Sequence, residues 1–458
     1  MVQEKGSPLG SEKGQTILVT NNTTPGQRSK YRRYCHSIAF IVALTTLIYN
    51  VTSLVTGGRL FHGPATLSIE QRVERILSET PLIDGHDDLP YLVRMLFQNR
   101  IYNDNFTAPF MNGNLTGHVD LPRLAEGKVG GTFWSVFVEC PKNNTDFSDT
   151  NYAESVRQTI EQVDVMTRLQ KAYPDVFSTP PNGTTALQAF KDKRIISPLG
   201  IEGLHSIGNS LAQLRSFYDL GVSYATLTHN CHNRYADAAL VELPGGGIKK
   251  ADPVHHGVSE AGKDLIFEMN RLGMIVDISH VSVDTMRDVL GAGKYTDWVG
   301  SRAPVIFSHS SAYAVCPHPR NVPDDVLQLV KERNSVVMVN FNPGFVSCTA
   351  APDRKDGLPN FYPPNSTLEH IADHIMHIGS LIGFDYIGLG SDFDGIVDVP
   401  QGLEDVSKYP QLIAELLRRG VSDEDAGKIA GGNLLRVWKE VDRVALQMQA
   451  EGAQPVED

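Results

Sequence analysis

The chain has 458 residues, of which 41% are hydrophobic and 21% charged, a composition typical of a globular protein with a large core. A formal net charge of −12, with no Lys- and Arg-rich run in the body, excludes a protein that binds the phosphate backbone of nucleic acid. An α/β barrel of this length can form a single domain.

The N-terminal region differs from the rest of the chain. Residues 1–34 are polar and end in basic residues that include Arg28, Arg32 and Arg33. The stretch SIAFIVALTTLIYNVTSLV follows, with about nineteen uncharged residues, near the minimum length of a membrane span. The basic side predicts a cytoplasmic N-terminus and a lumenal or extracellular body, hence a single-pass type II membrane protein anchored by its N-terminal helix. The alternative is a protein secreted after signal cleavage.

Sequons and cysteines in the body fit an oxidising compartment. Five N-x-S/T sequons predict a glycoprotein; they lie at Asn105, Asn114, Asn143, Asn182 and Asn365. Four of the five cysteines lie in the body, namely Cys140, Cys231, Cys316 and Cys348. An even number predicts two disulfides, and the residues alone leave three pairings open.

Short apolar runs alternate with amphipathic helical stretches from residue 82 onward. The runs are LIDGH (82–86), TFWSVFV (132–138), ISPLGIEG (196–203), YATLTH (224–229), MIVDISH (274–280), PVIFSH (304–309), SVVMVNF (335–341) and YIGLGSDF (386–393). Ser259 and Ser282 are placed as N-caps of two intervening helices. Eight strands alternating with helices predict a closed parallel (β/α)8 TIM-like barrel, and LIAELLRRG and NLLRVWKEVDRV predict extra C-terminal helices outside it.

Ionisable residues stand at the ends of six of the eight predicted strands. They are His86, Asp87, Asp88, Glu202, His229, His280, His309 and Asp392. Because the carboxyl ends of barrel strands meet at one mouth, these groups are expected to converge there. Without a compensating ion they would repel one another and lose their hydration, so the pattern predicts a metal centre.

The ligand types indicate which metal. Imidazoles and carboxylates without thiolates favour zinc over calcium or magnesium, and the candidates outnumber what one tetrahedral ion can use. Two ions bridged by a central carboxylate could hold a hydroxide, which predicts hydrolysis of an amide, ester or phosphoester. Alternate side chains of an extended segment share a face, so His86 and Asp88 point to the ion while Asp87 faces loops or a helix N-terminus.

The same stretches resemble the membrane dipeptidase (renal dipeptidase) family of amidohydrolase-like zinc metallopeptidases. The matching segments cover roughly residues 70–445 and include LIDGHDDLPY, GIEGLHSI, TLTHNC, RLGMIVDISHVS, APVIFSHSSAYAVCPHPRNVPDD and GLGSDFDG. The resemblance implies a zinc-dependent dipeptidase that hydrolyses the peptide bond of dipeptides with a metal-bridging hydroxide.

The resemblance also implies how the metal is held. His86 and Asp88 would ligate the first of two zinc ions. His280 and His309 would ligate the second, and Glu202 would bridge both.

The implied catalytic residues are Glu202, His229 and Asp392. His229 would stabilise the developing oxyanion or anchor the substrate. Arg320 would bind the free carboxylate of the dipeptide. Asp392 would contact the substrate and exchange protons with the hydroxide and the leaving amine.

The resemblance further implies the disulfides Cys140–Cys231 and Cys316–Cys348, and it is compatible with a non-covalent homodimer. The predicted organisation is a cytoplasmic tail (1–34), a transmembrane signal-anchor (35–57), a stalk (58–70), a metallohydrolase barrel (71–448) and a polar tail (449–458). The N-terminal anchor would replace the hydrophobic C-terminal tail of better-known animal members.

Two alternative functions stay open at this point. The first is another binuclear amidohydrolase acting on a cyclic amide or ester, for which a carboxylate-binding Arg320 would be useless. The second is a non-catalytic cell-surface binding protein, which the full set of candidate ligands disfavours.

Overall fold

A computed structural model describes residues 41–46, 67–243 and 245–457 of the chain. The chain divides into two compact units, Met1–Thr66 and Leu67–Asp458. In the first unit, the described residues 41–46 are helical. The second unit contains all the strands and helices given below.

The structure overturns the predicted membrane anchor. In the part of the chain that the structure describes, no helix is both long and apolar enough to cross a membrane. A span needs about twenty apolar residues, and only residues 41–46 of the predicted 35–57 segment are described, as a short helical stretch. The prediction of a single-pass type II membrane protein is therefore wrong. The remainder of that segment, the predicted tail (1–34) and most of the predicted stalk lie outside the described residues.

Eight parallel strands close into a barrel, which confirms the predicted architecture. In chain order they are Leu82–Asp87, Val129–Phe137, Leu199–Glu202, Val222–Thr226, Ile275–Asp277, Ile306–Phe307, Val336–Val339 and Ile387–Leu389. Each strand pairs with the next one along the chain, and the eighth pairs with the first. This order is that of a (β/α)8 barrel, in which the carboxyl ends of all the strands share one mouth.

Helices connect and surround the strands. The α-helices of the second unit are Ile69–Glu79, Leu89–Phe97, Asp104–Asn112, Leu121–Glu126, Asp149–Ala172, Ala186–Lys191, Leu211–Asp219, Glu260–Leu272, Val283–Val289, Asp324–Glu332, Pro343–Val346, Leu368–Ile382, Tyr409–Arg418, Asp423–Gly427 and Asn433–Ala450. The hydroxyls of Ser259 and Ser282 accept hydrogen bonds from Gly262 N and Thr285 N, so both are N-caps, as predicted.

The last helix, Asn433–Ala450, contributes side chains to an apolar cluster that it shares with the barrel strands. Its Trp438 and Val441 belong to one apolar cluster with Phe133 and Ile275 from the barrel strands. The ring of Trp438 lies 4.9 Å from that of Phe133, between centroids. The predicted C-terminal helices are thus present, and this one adds apolar side chains to the core of the barrel.

Two small hairpins and two disulfides lie in the loops that follow the barrel strands. The hairpins pair Leu240–Glu242 with Ile248–Lys250 and Cys348–Thr349 with Asn360–Phe361, and neither was predicted from the sequence. Cys140 is bonded to Cys231, and Cys316 to Cys348, the pairing that the family resemblance implied. The first disulfide joins the segment after the second strand to the segment after the fourth.

Candidate metal centre

The carboxylate of Glu202, at the end of the third barrel strand, lies at the centre of three histidines. Its Oε1 is 3.0 Å from His280 Nε2, 3.3 Å from His309 Nε2 and 3.6 Å from His86 Nε2. The Nε2 atoms of His280 and His309 are 2.9 Å apart. All four side chains are buried, and Glu202 is only 3% exposed. Three strand-end imidazoles therefore point their Nε2 atoms at one carboxylate oxygen.

The other ring nitrogen of each histidine is held by a neighbouring polar group. The contacts are Tyr224 Oη to His86 Nδ1 at 3.0 Å, Ser308 Oγ to His309 Nδ1 at 2.8 Å, and Asn230 Oδ1 to His280 Nδ1 at 3.2 Å. Such partners fix the orientation of an imidazole and leave the opposite nitrogen available to a metal.

The two acids after the first strand are turned in different directions. Asp88 Oδ2 lies 3.3 Å from His86 Nε2. Asp87 is buried as well, but its Oδ1 accepts a hydrogen bond from Leu89 N, at the start of the helix Leu89–Phe97, at 3.0 Å. The structure therefore brings Asp88 to the cluster and places Asp87 at a helix N-terminus.

Asp392 completes this side of the cluster. Ligand atoms of His86, Asp88 and Asp392 lie within 4.8 Å of one another. Asn340 Nδ2 donates a hydrogen bond to Asp392 Oδ2 at 3.0 Å. Burial raises the pKa of Asp392 to about 7, with Asp88 adding to the rise and His86 opposing it. A φ of +69° at Asp392 puts its backbone in the left-handed region, which is costly for a residue other than glycine.

His229 lies on the other side, next to His280. The two ring centroids are 4.5 Å apart, and ligand atoms of Glu202, His229 and His280 lie within 4.8 Å of one another. Burial lowers the pKa of His229 to about 4, so this ring is neutral at pH 7.

Arg320 is a buried arginine beside His309. It is 1% exposed, and its Nη2 donates to His309 O at 3.3 Å while Nη1 donates to Ser310 Oγ at 3.4 Å. Its Nε has no hydrogen-bond partner among the described residues, and none of the ion pairs in that part of the chain involves it. Its guanidinium carbon lies 5.3 Å from the centroid of the Phe345 ring. A buried cation without a carboxylate is suited to bind an anionic ligand.

Comparison with known proteins identifies the family. Residues 70–452 match the family model of the membrane dipeptidases, peptidase family M19. The chain belongs to the membrane dipeptidase family. Dipeptidase aclJ of Aspergillus oryzae is 46% identical over 376 residues, which are 81% of each chain. Dipeptidase tcpJ of Claviceps purpurea is 44% identical over 362 residues, which are 79% of this chain and 77% of that protein.

Solved structures share the fold. A dipeptidase AC of family M19 has a TM-score of 0.64 and 26% identity, covering 79% of this chain and 98% of its own. A metallo peptidase of Rhodobacter sphaeroides, liganded with a phosphinate mimic of the dipeptide L-Ala-D-Ala, has a TM-score of 0.64 and 24% identity, covering 79% and 99%. This member of the membrane dipeptidase family is accordingly a zinc-dependent metallopeptidase that hydrolyses dipeptides.

The buried cluster fits the zinc that the family uses. Burial lowers the pKa of His280 and of His309 well below the usual value, so both imidazoles are neutral and offer lone pairs. Burial opposes ionisation of Glu202, but the charge of His86 and the close contacts with His280 and His309 hold its pKa well below the ordinary value. Among the described residues, His86 Nε2 and Asp88 Oδ1 lack a hydrogen-bond partner. The neutral imidazoles of His280 and His309 and the ionised Glu202 fit zinc as they stand. Burial alone would lower the pKa of His86, but Tyr224, Glu202 and Asp88 raise that pKa well above its usual value, so His86 would release its proton when the metal binds.

The polar residues that orient this cluster, Asn340, Ser308 and Tyr224, were not predicted from the sequence. Asn340 follows the apolar run of the seventh strand, the same signal that identified the other strand-end residues. Ser308 directly precedes His309, so it also lies at a strand end. Tyr224 lies inside the fourth strand, where a core aromatic is the ordinary interpretation, and no local signal distinguishes it.

Proposed function

We propose that this dipeptidase binds two zinc ions at the barrel mouth and hydrolyses dipeptides there. The substrate would lie between the side chains of Arg320 and His229. The observation that carries the proposal is Glu202 Oε1, which lies 3.0 to 3.6 Å from the Nε2 atoms of three buried histidines. A carboxylate has two oxygens, so one that lies among three imidazoles could be shared by two ions. The alternative of a cyclic amide or ester substrate leaves the buried charge of Arg320 without a use.

The five ligands are assigned as two pairs and a bridge. His86 Nε2 and Asp88 Oδ2, 3.3 Å apart, would hold one ion. His280 and His309, whose Nε2 atoms are 2.9 Å apart, would hold the other. Glu202 would be shared between the two. Zinc, when bound, supplies Lewis acidity at the peptide carbonyl and lowers the pKa of a water to about 7.

Three residues act on the dipeptide itself. Arg320 binds its C-terminal carboxylate, and a fixed buried guanidinium sets where the chain must end. Neutral His229 donates a hydrogen bond to the carbonyl oxygen as negative charge develops there. Asp392, held by Asn340, accepts a proton from the attacking water and delivers it to the leaving amine.

We further propose that the protein is glycosylated and lies in an oxidising compartment. The asparagines of all five sequons are exposed, and the two disulfides persist only where thiols are not kept reduced. The metallohydrolase barrel spans residues 71–448 in this proposal and is followed by a polar tail over 449–458. A non-covalent homodimer stays a prediction.

The proposal is tested by metal counting and by blocking the substrate. Two zinc ions per purified full-length chain are expected, and about one when His280 and His309 are both changed to Ala, because His86, Asp88 and Glu202 remain. The dipeptide Ala-Ala should be cleaved, and its C-terminal amide about 100-fold less efficiently, because a charge-assisted contact is lost.

The variant Arg320→Met separates binding from catalysis. Its KM for the dipeptide should rise about 100-fold with little change in KM for the amide. The matched control is Arg157→Met. Arg157 lies on an exposed helix face and is paired with Glu154 and Glu161, so its loss should change neither the KM for the dipeptide nor the KM for the amide. Equal cleavage of the acid and the amide by the unaltered protein would refute the role of Arg320, and one zinc per chain would refute the bridge.

A further inference from the structure

Glu242 is a half-buried carboxylate beside the proposed site that none of the steps above uses. It ends the first strand, Leu240–Glu242, of the hairpin that follows the fourth barrel strand. A carboxylate oxygen of Glu242, a ring nitrogen of His229 and Cys140 Sγ lie within 4.8 Å of one another. The acid is therefore close to the residue proposed to contact the peptide carbonyl.

The backbone of Glu242 is tied to the metal cluster. Its N donates to Asn230 O at 3.1 Å, and its O accepts from Asn144 Nδ2 at 2.8 Å. The side chain of Asn230 in turn contacts His280 Nδ1 at 3.2 Å. The position of the hairpin, and with it that of the carboxylate, is thus coupled to the position of a proposed zinc ligand.

The carboxylate of Glu242 lacks a cation. In the part of the chain that the structure describes, its oxygens form neither a hydrogen bond nor an ion pair. Burial, together with the charge of Glu139, raises the pKa of Glu242. Glu139 itself is more exposed and lies 3.8 Å from Arg94. A half-buried carboxylate with no cation beside it is open to a ligand, and a positively charged group would oppose the partial loss of hydration.

We propose that Glu242 binds the α-ammonium group of the dipeptide. This assignment rests on the proposed function and extends it. The α-nitrogen is separated from the scissile carbonyl carbon by one atom, about 2.5 Å by standard bond lengths. The receptor for the ammonium must therefore lie next to the receptor for the carbonyl, as Glu242 lies next to His229.

Arg320 and Glu242 lie on opposite sides of the metal cluster, as the two charged ends of a zwitterionic dipeptide require. Arg320 contacts His309, after the sixth strand, whereas Glu242 lies beside His229, after the fourth. His280, after the fifth strand, is between them in barrel order. A substrate with its ammonium at Glu242 and its carboxylate at Arg320 has its peptide bond over the cluster, so the two receptors together select the length of two residues.

The test compares a dipeptide with an analogue that lacks only the amine. Ala-Ala and propionyl-Ala are assayed with the zinc-loaded full-length protein. The unaltered protein should favour Ala-Ala in kcat/KM by about ten- to a hundred-fold, the usual effect of one charge-assisted contact. Glu242→Gln should lose that factor for Ala-Ala and leave propionyl-Ala unchanged. Asp252→Asn, which removes a charge from the segment after the hairpin at a side chain 86% exposed, should change neither.

Each outcome decides the matter. An equal loss on both substrates in Glu242→Gln, with zinc content retained, would mean that Glu242 positions the hairpin and would overturn the proposal. Equal cleavage of both substrates by the unaltered protein would overturn it too, while leaving the dipeptidase assignment intact. No cleavage of Ala-Ala would instead remove the proposed function on which it rests. If Glu242→Gln does not fold, Glu242→Asp is used instead, which moves the carboxylate away by one methylene. The preference for Ala-Ala over propionyl-Ala should then fall. An unchanged preference would overturn the proposed contact.

Discussion

Asp87 and Asp88 are adjacent and chemically identical, yet the structure gives them different surroundings. Asp88 Oδ2 faces His86 Nε2 at 3.3 Å. Asp87 is fully buried, its Oδ1 accepts from Leu89 N, and its Oδ2 has no partner among the described residues. Burial, reinforced by Asp394 and Asp84, raises the pKa of Asp87 well above its usual value, which favours the protonated acid.

Exchanging each acid for its amide should separate these roles. Asp88→Asn should lower bound zinc and reduce kcat/KM by about 100-fold or more, because a charged zinc ligand is replaced by a neutral one. Asp87→Asn should leave both within about threefold, since an amide resembles a protonated acid and can still accept from Leu89 N. Zinc content and dipeptide kinetics of the two variants, measured side by side, check this. Similar losses in both would contradict the assignment.

At the residue scale, local periodicity predicts some of these contacts and cannot predict others. The pairing of His86 with Asp88 follows from the alternation of an extended strand, a rule that needs only neighbours in sequence. The contact of Tyr224 with His86 joins residues 138 positions apart. Its existence depends on the closed barrel, so a single sequence offers no local signal for it.

At the scale of the elements, all eight predicted barrel strands are present but most are shorter than their apolar runs. The run PVIFSH predicts a strand over 304–309, whereas the paired strand is Ile306–Phe307. The remaining residues lead into and out of the mouth, where His309 turns toward Glu202 rather than continuing the ladder. The hairpin Leu240–Glu242 with Ile248–Lys250 was missed because strands of three residues have no clear periodicity.

The two disulfides should have distinguishable effects on catalysis. Cys140 Sγ lies 3.8 Å from His229 Nδ1, so replacing Cys140 and Cys231 with Ser should mainly lower kcat, by about tenfold, through a displaced His229. Cys316 O accepts from the side chain of Asn321, next to Arg320. Replacing Cys316 and Cys348 should therefore mainly raise KM.

Each double variant is the control for the other. Losing either disulfide costs about 2–5 kcal/mol of stability, so a shared loss of Tm is expected and is not informative about catalysis. Steady-state kinetics at a temperature where both variants remain folded provide the comparison. Identical changes in kcat and KM for the two would show that the disulfides stabilise the barrel without positioning these side chains.

At the scale of the whole molecule, the metal and the fold are expected to be coupled. The donor atoms of Glu202, His280 and His309 lie 2.9 to 3.3 Å apart in a buried cluster. Without an ion, such a cluster holds an ionised carboxylate and unpaired lone pairs in a dry interior, which destabilises the folded state. A ligand that binds only the folded state adds about 4 kcal/mol at a thousand-fold excess over its Kd.

Chelation should therefore lower the Tm of the whole barrel and abolish activity. Adding zinc should restore both the Tm and the activity. Magnesium and calcium should restore neither, because three of the proposed ligands are imidazoles. The variant with His280 and His309 changed to Ala should lose less Tm to a chelator than the unaltered protein, because only the ion at His86 and Asp88 remains to be removed. His377→Ala is the control, since that histidine is paired with Asp324 on a helix surface and should retain the full response. Thermal unfolding followed by circular dichroism, with and without chelator, measures all three proteins. A Tm that is independent of chelator in the unaltered protein, despite loss of activity, would mean that the cluster is satisfied without metal, and the electrostatic argument for the site would then fail.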